Sequence, residues 1–292
     1  VCSSDLLQAI ADPQTPVYLD TLAHTSLWEG ARRAGAASHP FRHNDPQHLE
    51  RLVARHGPGV VVVDSVYSTT GAVCPLESMV EVAERAGCMI LVDESHSLGT
   101  HGPTGAGLCV ALGVSHRVHF ITASLAKAFA GRAGFMTLPA EIRNYVLSTS
   151  YPNMFSSCLL PHEIAGLAAT LTVIQRSDAA RANLRASTGH LRTALSNLGY
   201  PIHQGSEQII ALEAGTEPAT MVLRDRLEDI HTQVDLRMGE GVNKVNETLK
   251  QLAAVNAQIP QQAPPPGPPP WDMAAGLVIL KEAGGFVSDP EG

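Results

Sequence analysis

Hydrophobic and polar positions follow two alternating rhythms over most of the chain. Unbroken apolar runs at 16–20 (PVYLD), 59–66 (GVVVVDSV) and 88–95 (CMILVDES), then at 118–122 and 134–138, read as strands buried on both faces. Between them, PLESMVEVAERAG (75–87) repeats its apolar residues at helical spacing. Strand, helix, strand in that order predicts an α/β fold, a mostly parallel sheet with helices on both faces. Ligands of such sheets sit beyond the carboxyl ends of the strands. The first clear element is already the strand at 16–20, and the chain opens on Val1 rather than Met, so further sequence upstream is expected.

Downstream the rhythm changes. Residues 161–198 read as helical with a break near 176–178, followed by a strand within 205–215 and a helix at 218–229. The reading divides the chain into a large domain over 1–175, the beginning of a smaller α+β domain over 176–230, a polar helical stretch within 231–259, and a linker over 260–270. Seven of the twenty prolines fall in that linker, an extended composition that packs no core. The last piece, 271–292, reads as a helix ending at Gly284 and Gly285 with a short strand after it.

Composition narrows the class. The 292 residues are 44% hydrophobic and 16% charged with a net charge of -8, which excludes a disordered polyelectrolyte and a basic nucleic-acid binder. The five cysteines are odd in number, scattered and without a CxxC pair, so they read as reduced thiols rather than a disulfide framework or a zinc site. No HExxH spacing gathers the histidines into a metal site, and no metal is expected. No apolar run approaches the roughly 18 residues a membrane helix needs. The expectation is a cytoplasmic enzyme with neither nucleic acid nor membrane as partner.

The densest chemistry follows the strand ends. Asp93 closes LVDESH, Lys127 lies thirty-four residues later in TASLAKAFAGRAGF, and His24 and His96 precede loops or helices. Small neighbours at Ser124, Ala126, Ala128 and Gly131 would let a planar cofactor approach the lysine. A desolvated lysine amine condenses with an aldehyde, and an aspartate on a neighbouring strand would complement the protonated ring nitrogen of pyridoxal phosphate. Bland readings compete with each assignment. A lone lysine near a strand end is usually solvated, Asp93 could cap the following helix, and His24 and His96 could be structural. His43, Asn44 and Asp45 read as a turn, and His101 with the glycines of 101–107 as a shaped loop.

Five ordered blocks tip the balance: LAHTSLWEG (22–30), FRHNDPQHLERL (41–52), VVDSVYSTTGAVCPL (62–76), LVDESHSLGTHGPTGAG (91–107) and TASLAKAFAGRAGF (122–135). In order and spacing the chain resembles the α-oxoamine synthases, pyridoxal-phosphate enzymes of the aspartate-aminotransferase fold. Its wording is most similar to the subgroup that makes α-aminoketone and α-hydroxyketone quorum-sensing autoinducers. The resemblance implies that 1–175 is part of the cofactor-binding large domain, that Lys127 carries the cofactor and later moves a proton, and that His24 stacks on its ring. It further implies Asp93 at the pyridine nitrogen, His96 and Ser68 at the phenolic oxygen, and Ser124 at the phosphate. Ser156 and Ser157 would reach the phosphate of a neighbouring subunit in a homodimer. The implied reaction joins an acyl-CoA to an amino acid or related amine in autoinducer biosynthesis. A different aminotransferase or lyase, and a non-catalytic chimeric fragment, are the alternatives.

Two departures qualify that reading. The family's portion before the His24 block, with its glycine-rich phosphate loop, is missing, as is the small-domain arginine that grips the substrate carboxylate, so weak or no activity is expected of this chain. The tail WDMAAGLVILKEAGGFVSDPEG (271–292) resembles the C-terminal block of the inositol-monophosphatase family. Its partner acidic motifs are absent, so Asp272 reads as a remnant rather than a metal ligand.

Overall fold

The computed structural model describes residues 2–155, 158–202, 205–206, 208–213, 216–222, 224–226 and 277–281. In chain order the elements are α1 (Cys2–Ile10), β1 (Pro16–Asp20), α2 (Thr25–Arg33), β2 (Ala37–Phe41), α3 (Pro46–His56), β3 (Val60–Asp64), α4 (Leu76–Arg85) and β4 (Met89–Asp93). There follow α5 (Leu108–Ala111), β5 (Phe120–Ser124), β6 (Gly134–Thr137), α6 (Arg143–Thr149), α7 (Tyr151–Met154), α8 (Pro161–Gln175), α9 (Asp178–Asn197), β7 (Ile209–Glu213) and β8 (Leu277–Lys281). The chain divides into two compact units, residues 1–68 with 72–183, and residues 69–71 with 184–292.

The first unit is built on one six-stranded sheet in the order β2-β1-β3-β4-β5-β6. All its neighbours are parallel except β6, which turns back against β5. The unbroken apolar strands account for this architecture, because residues alternate between faces and both faces need cover. Tyr18, Val61, Val63, Ile90 and Val92 pack against Leu49 and Val53 of α3 and Leu76, Met79 and Val80 of α4. On the other face, Val17, Leu19, Val60, Val62 and Leu91 meet Leu6 and Leu7 of α1 and Leu27 and Ala31 of α2. Every residue of β3 is buried, as expected of a central strand. The predicted α/β sheet with helices on both faces is therefore the fold of this unit.

Local chemistry sets the helix limits. Asp45 accepts the His48 N–H at 2.7 Å, Pro46 occupies the first turn of α3, and Gly57 ends that helix with φ at 91°. The anticipated break near 176–178 separates α8 from α9. Helix α1 is a departure, since nothing was read before the first strand. Its Leu6 and Leu7 are fully buried, so tertiary packing selects a helix that nine residues would not hold alone.

In the second unit, Leu195, Tyr200, Ile210 and Leu212 form a small core. Residues 217–222 and 224–226 are helical, beginning one residue before the stretch expected to be so. The tail differs from the sequence expectation of a helix over 277–281: Leu277–Lys281 is strand β8, antiparallel to β7 with Leu277 opposite Glu213 and Lys281 opposite Ile209. Leu-Val-Ile-Leu offers no polar position at helical spacing, and pairing with β7 satisfies its main chain. The helical stretch at 242–259, the linker at 260–270, Asp272, and Gly284 with Gly285 lie outside the described residues. Among the described residues no helix is long and apolar enough to cross a membrane.

Cys74, Cys88 and Cys109 are free and buried while Cys158 is free and exposed. Burial pushes all three buried thiols above the ordinary range. In a Cys2→Ala background, titration of the native protein with a chromogenic disulfide should find a single fast thiol, with the other three reacting only after denaturation.

Candidate active site

Three strands end in the same way, four residues and then an aspartate: PVYLD, VVVVD and MILVD. Because the strands are parallel, Asp20, Asp64 and Asp93 emerge at one edge of the sheet, and Asp64 lies directly opposite Asp93 in the β3–β4 ladder. Strand order reverses beside β1, whose neighbours are β2 and β3, and this is where open α/β sheets bind ligands.

A cavity of about 450 Å³ opens at that edge, lined by His24, Asp64, Asp93, Ser95, His96, Ser124, Lys127 and neighbouring residues. Five of the residues nominated from sequence, His24, Asp93, His96, Ser124 and Lys127, thus meet in one place. Ser68 lies in the turn after β3 and is not among the lining residues. Ser156 and Ser157 lie outside the described residues.

Each side chain is placed by its element. His24 follows β1 and caps α2, its Nδ1 accepting the Ser26 N–H at 3.2 Å, so its exposed ring is fixed at a helix start. Asp93 is buried, and Oδ1 accepts the Ser95 N–H at 2.9 Å. Its Oδ2 takes hydrogen bonds from Thr122 at 3.3 Å and from the Ser3 hydroxyl on α1. Ser95 Oγ in turn accepts the Ser124 N–H at 2.7 Å, tying the end of β5 to the β4 loop.

Lys127 stands exposed in the hairpin between β5 and β6. That loop is cinched by Leu125 N–H to Ala133 O at 2.8 Å, Gly131 N–H to Leu125 O at 3.0 Å and Ala130 N–H to Lys127 O at 3.0 Å. Ala130 pays for the tight turn with φ at 50°, a left-handed conformation that non-glycine residues adopt at a cost of about 1 kcal/mol or more.

The loop after β4 is held from beneath. Buried Glu94 accepts the Leu108 N–H at 3.1 Å, the Cys109 N–H at 2.6 Å and the Ser97 hydroxyl at 3.1 Å. His101 and its neighbouring glycines do shape this loop, with Gly99, Gly102, Gly105 and Gly107 all at positive φ. The His43 turn also forms, with Asn44 at φ 53°. Asp20 clamps it by accepting the Asn44 N–H at 2.8 Å and pairing with His43 Nδ1 at 2.9 Å.

Sequence reasoning missed Asp64, Ser95, Ser3 and Arg132 as lining residues. The repeated strand-ending aspartate was the available signal for Asp64. A second cavity of about 330 Å³ shares Arg132 and Ala133 with the first and is otherwise bounded by Phe129, Leu159, Leu167, Gly166 and their neighbours.

Chemically, the larger cavity combines an amine, a buried carboxylate, two imidazoles and hydroxyl groups. Among the described residues no cluster of three or more His, Cys, Asp or Glu side chains is arranged to hold a metal ion.

Residues 3–257 match the family described as Aminotransferase class I and II. The chain is 48% identical over 241 residues to the CAI-1 autoinducer synthase of Vibrio campbellii, covering 82% of this chain and 61% of that protein. It is 32% identical over 206 residues to 5-aminolevulinate synthase 2 of Cereibacter sphaeroides, covering 70% and 51%. It therefore spans about half to three fifths of the length of these relatives. Among solved structures, serine palmitoyltransferase of Sphingomonas wittichii superposes with a TM-score of 0.77 at 23% identity, over 88% of this chain and 71% of that one, a likeness of fold.

Replacing Ser95 by alanine leaves the Ser124 N–H without its acceptor. Ser95→Ala should cost about 1–2 kcal/mol, read as a lowered urea midpoint with an unchanged slope.

Proposed function

The chain belongs to the class I and II aminotransferase family, and on that footing we propose that it is a pyridoxal-phosphate-dependent acyltransferase that condenses an acyl-CoA with an amino-acid-type amine to an α-aminoketone of the autoinducer kind. The observation that carries the reading is the meeting of Lys127, Asp93 and His24 in one cavity of about 450 Å³. The donor set suits such a cofactor: an amine for the aldehyde, a carboxylate for the ring nitrogen and an aromatic ring for its face. Bound there, pyridoxal phosphate would supply the electron sink for a carbanion formed on the amine substrate.

The residues divide the remaining work. Lys127 anchors the cofactor and moves the substrate α-proton. Asp93, already fixed through Ser95, Thr122 and Ser3, holds the proton on the ring nitrogen. His24 would cover the ring, His96 would orient it, Ser124 would serve the phosphate, and Ser156 and Ser157 would reach the phosphate of a neighbouring subunit. The adjoining cavity shares Arg132 with the first and sets Phe129, Leu159 and Leu167 beside Glu163 and Thr170, a mixed lining in which the acyl donor would sit. Exposed apolar side chains at Tyr145, Tyr151, Phe155, Leu160 and Ile164 support a homodimer through α6 to α8. The protein acts in the cytoplasm in this reading.

Adding pyridoxal phosphate to the parent chain should give a yellow adduct trapped by borohydride, and Lys127→Ala should give none. Release of free CoA from an acyl-CoA should require an added amine and fall by about 10²–10⁴ in Lys127→Ala. An adduct that persists in Lys127→Ala overturns the assignment, and amino exchange with keto acids in place of CoA release favours an aminotransferase.

A further inference from the structure

The geometry points to Asp64 as a positioning residue of the cofactor site, anchoring the main chain of His24 from the strand beside Asp93. The inference rests on the cofactor reading above and assigns a group to which that reading gives no role. Asp64 Oδ2 accepts the His24 N–H at 2.8 Å, a bond between residues forty apart in sequence. His24 is the N-cap of α2, where the chain turns from β1 into the helix, and its side chain is committed to Ser26. His24 is thus held at two points, its ring by its own helix and its main chain by a carboxyl from β3.

Asp64 is 3% exposed, yet it lines the same cavity as Asp93, its partner in the ladder. Two carboxyl groups so close are not both readily ionised. Burial pushes the Asp64 carboxyl well above the usual carboxylate range, and the charges of Asp93 and Asp20 push it the same way, against the lowering effect of the His24 N–H. The surrounding titratable groups are Asp20 on β1, His24 on the following turn, Tyr67 and Cys74 after β3, Asp93 and His96 from β4 and its loop, and Lys127 and Arg132 from the β5–β6 hairpin. With its carboxyl pushed toward the protonated form, Asp64 still accepts the N–H through a carboxyl oxygen. Asparagine reproduces a neutral acceptor; alanine does not.

The test compares Asp64→Asn and Asp64→Ala in the full chain, with circular dichroism to establish that each folds. Amide hydrogen exchange at His24 should stay near the parent rate in Asp64→Asn and rise by roughly tenfold in Asp64→Ala. Equilibrium titration with pyridoxal phosphate should show the same order, with affinity retained in the asparagine variant and reduced roughly tenfold in the alanine variant. A raised pKa in the folded state means that stability is greatest below the unfolded value and is lost as pH climbs through the folded one. Asp64→Asn should flatten that decline in denaturation midpoints measured across pH. Parent-like exchange and affinity in Asp64→Ala overturn the anchoring role, and an asparagine variant as impaired as alanine overturns the neutral acceptor. If the parent takes up no pyridoxal phosphate, the cofactor reading fails, while exchange at His24 still decides whether Asp64 anchors it.

Discussion

The site depends on the register between two buried strands. Val60 to Asp64 and Met89 to Asp93 pair residue for residue, so the two aspartates end their strands at the same level. A slip of one residue would exchange one apolar side chain for another within the core but would carry Asp64 to the opposite face and out of line with Asp93. The polar contacts at the sheet edge are consequences of this pairing. Asp93 meets Thr122 because β5 pairs with β4, and Asp64 meets His24 because β1 lies beside β3.

Much of this was legible in the sequence because buried parallel strands announce themselves as unbroken apolar runs. The strands at 16–20, 59–66 and 88–95 formed nearly where the pattern put them, and Asp93 at the end of the third shares a cavity with Lys127, which follows the strand read at 118–122. What escaped depends on distant partners. Helix α1 has too little intrinsic preference to stand out and exists against α2 and the sheet. The strand at 277–281 escaped because a short apolar run does not declare whether it is strand or helix until a ladder is found for it. Asp64 escaped for the opposite reason: its identity was plain, but its bond to His24 spans forty residues.

The cavity wall combines rigid and adaptable parts. Asp93 and Ser95 are locked by short hydrogen bonds and by the strands beneath them, so the carboxylate is set before any ligand arrives. Lys127 rides on a hairpin held by main-chain bonds, by the Ala126 N–H to Ser124 Oγ bond and by a left-handed alanine, and its side chain stays exposed. A fixed carboxylate beside an exposed amine is consistent with the role proposed for Lys127, to hold a cofactor and release it to a substrate.

The seat beneath the β4 loop limits what can be inherited at position 107. A Cβ on Gly107 would come within 1.6 Å of a Glu94 carboxylate oxygen, and that glutamate is the acceptor for the N–H groups just beyond it. The glutamate leaves no room for a side chain at 107, and the bare main chain at 107 lets the glutamate reach its donors. Because Gly107 also sits at φ 99°, a smaller residue at 94 would not by itself admit a side chain at 107, so the glycine should persist in lineages that keep this loop even where the glutamate changes.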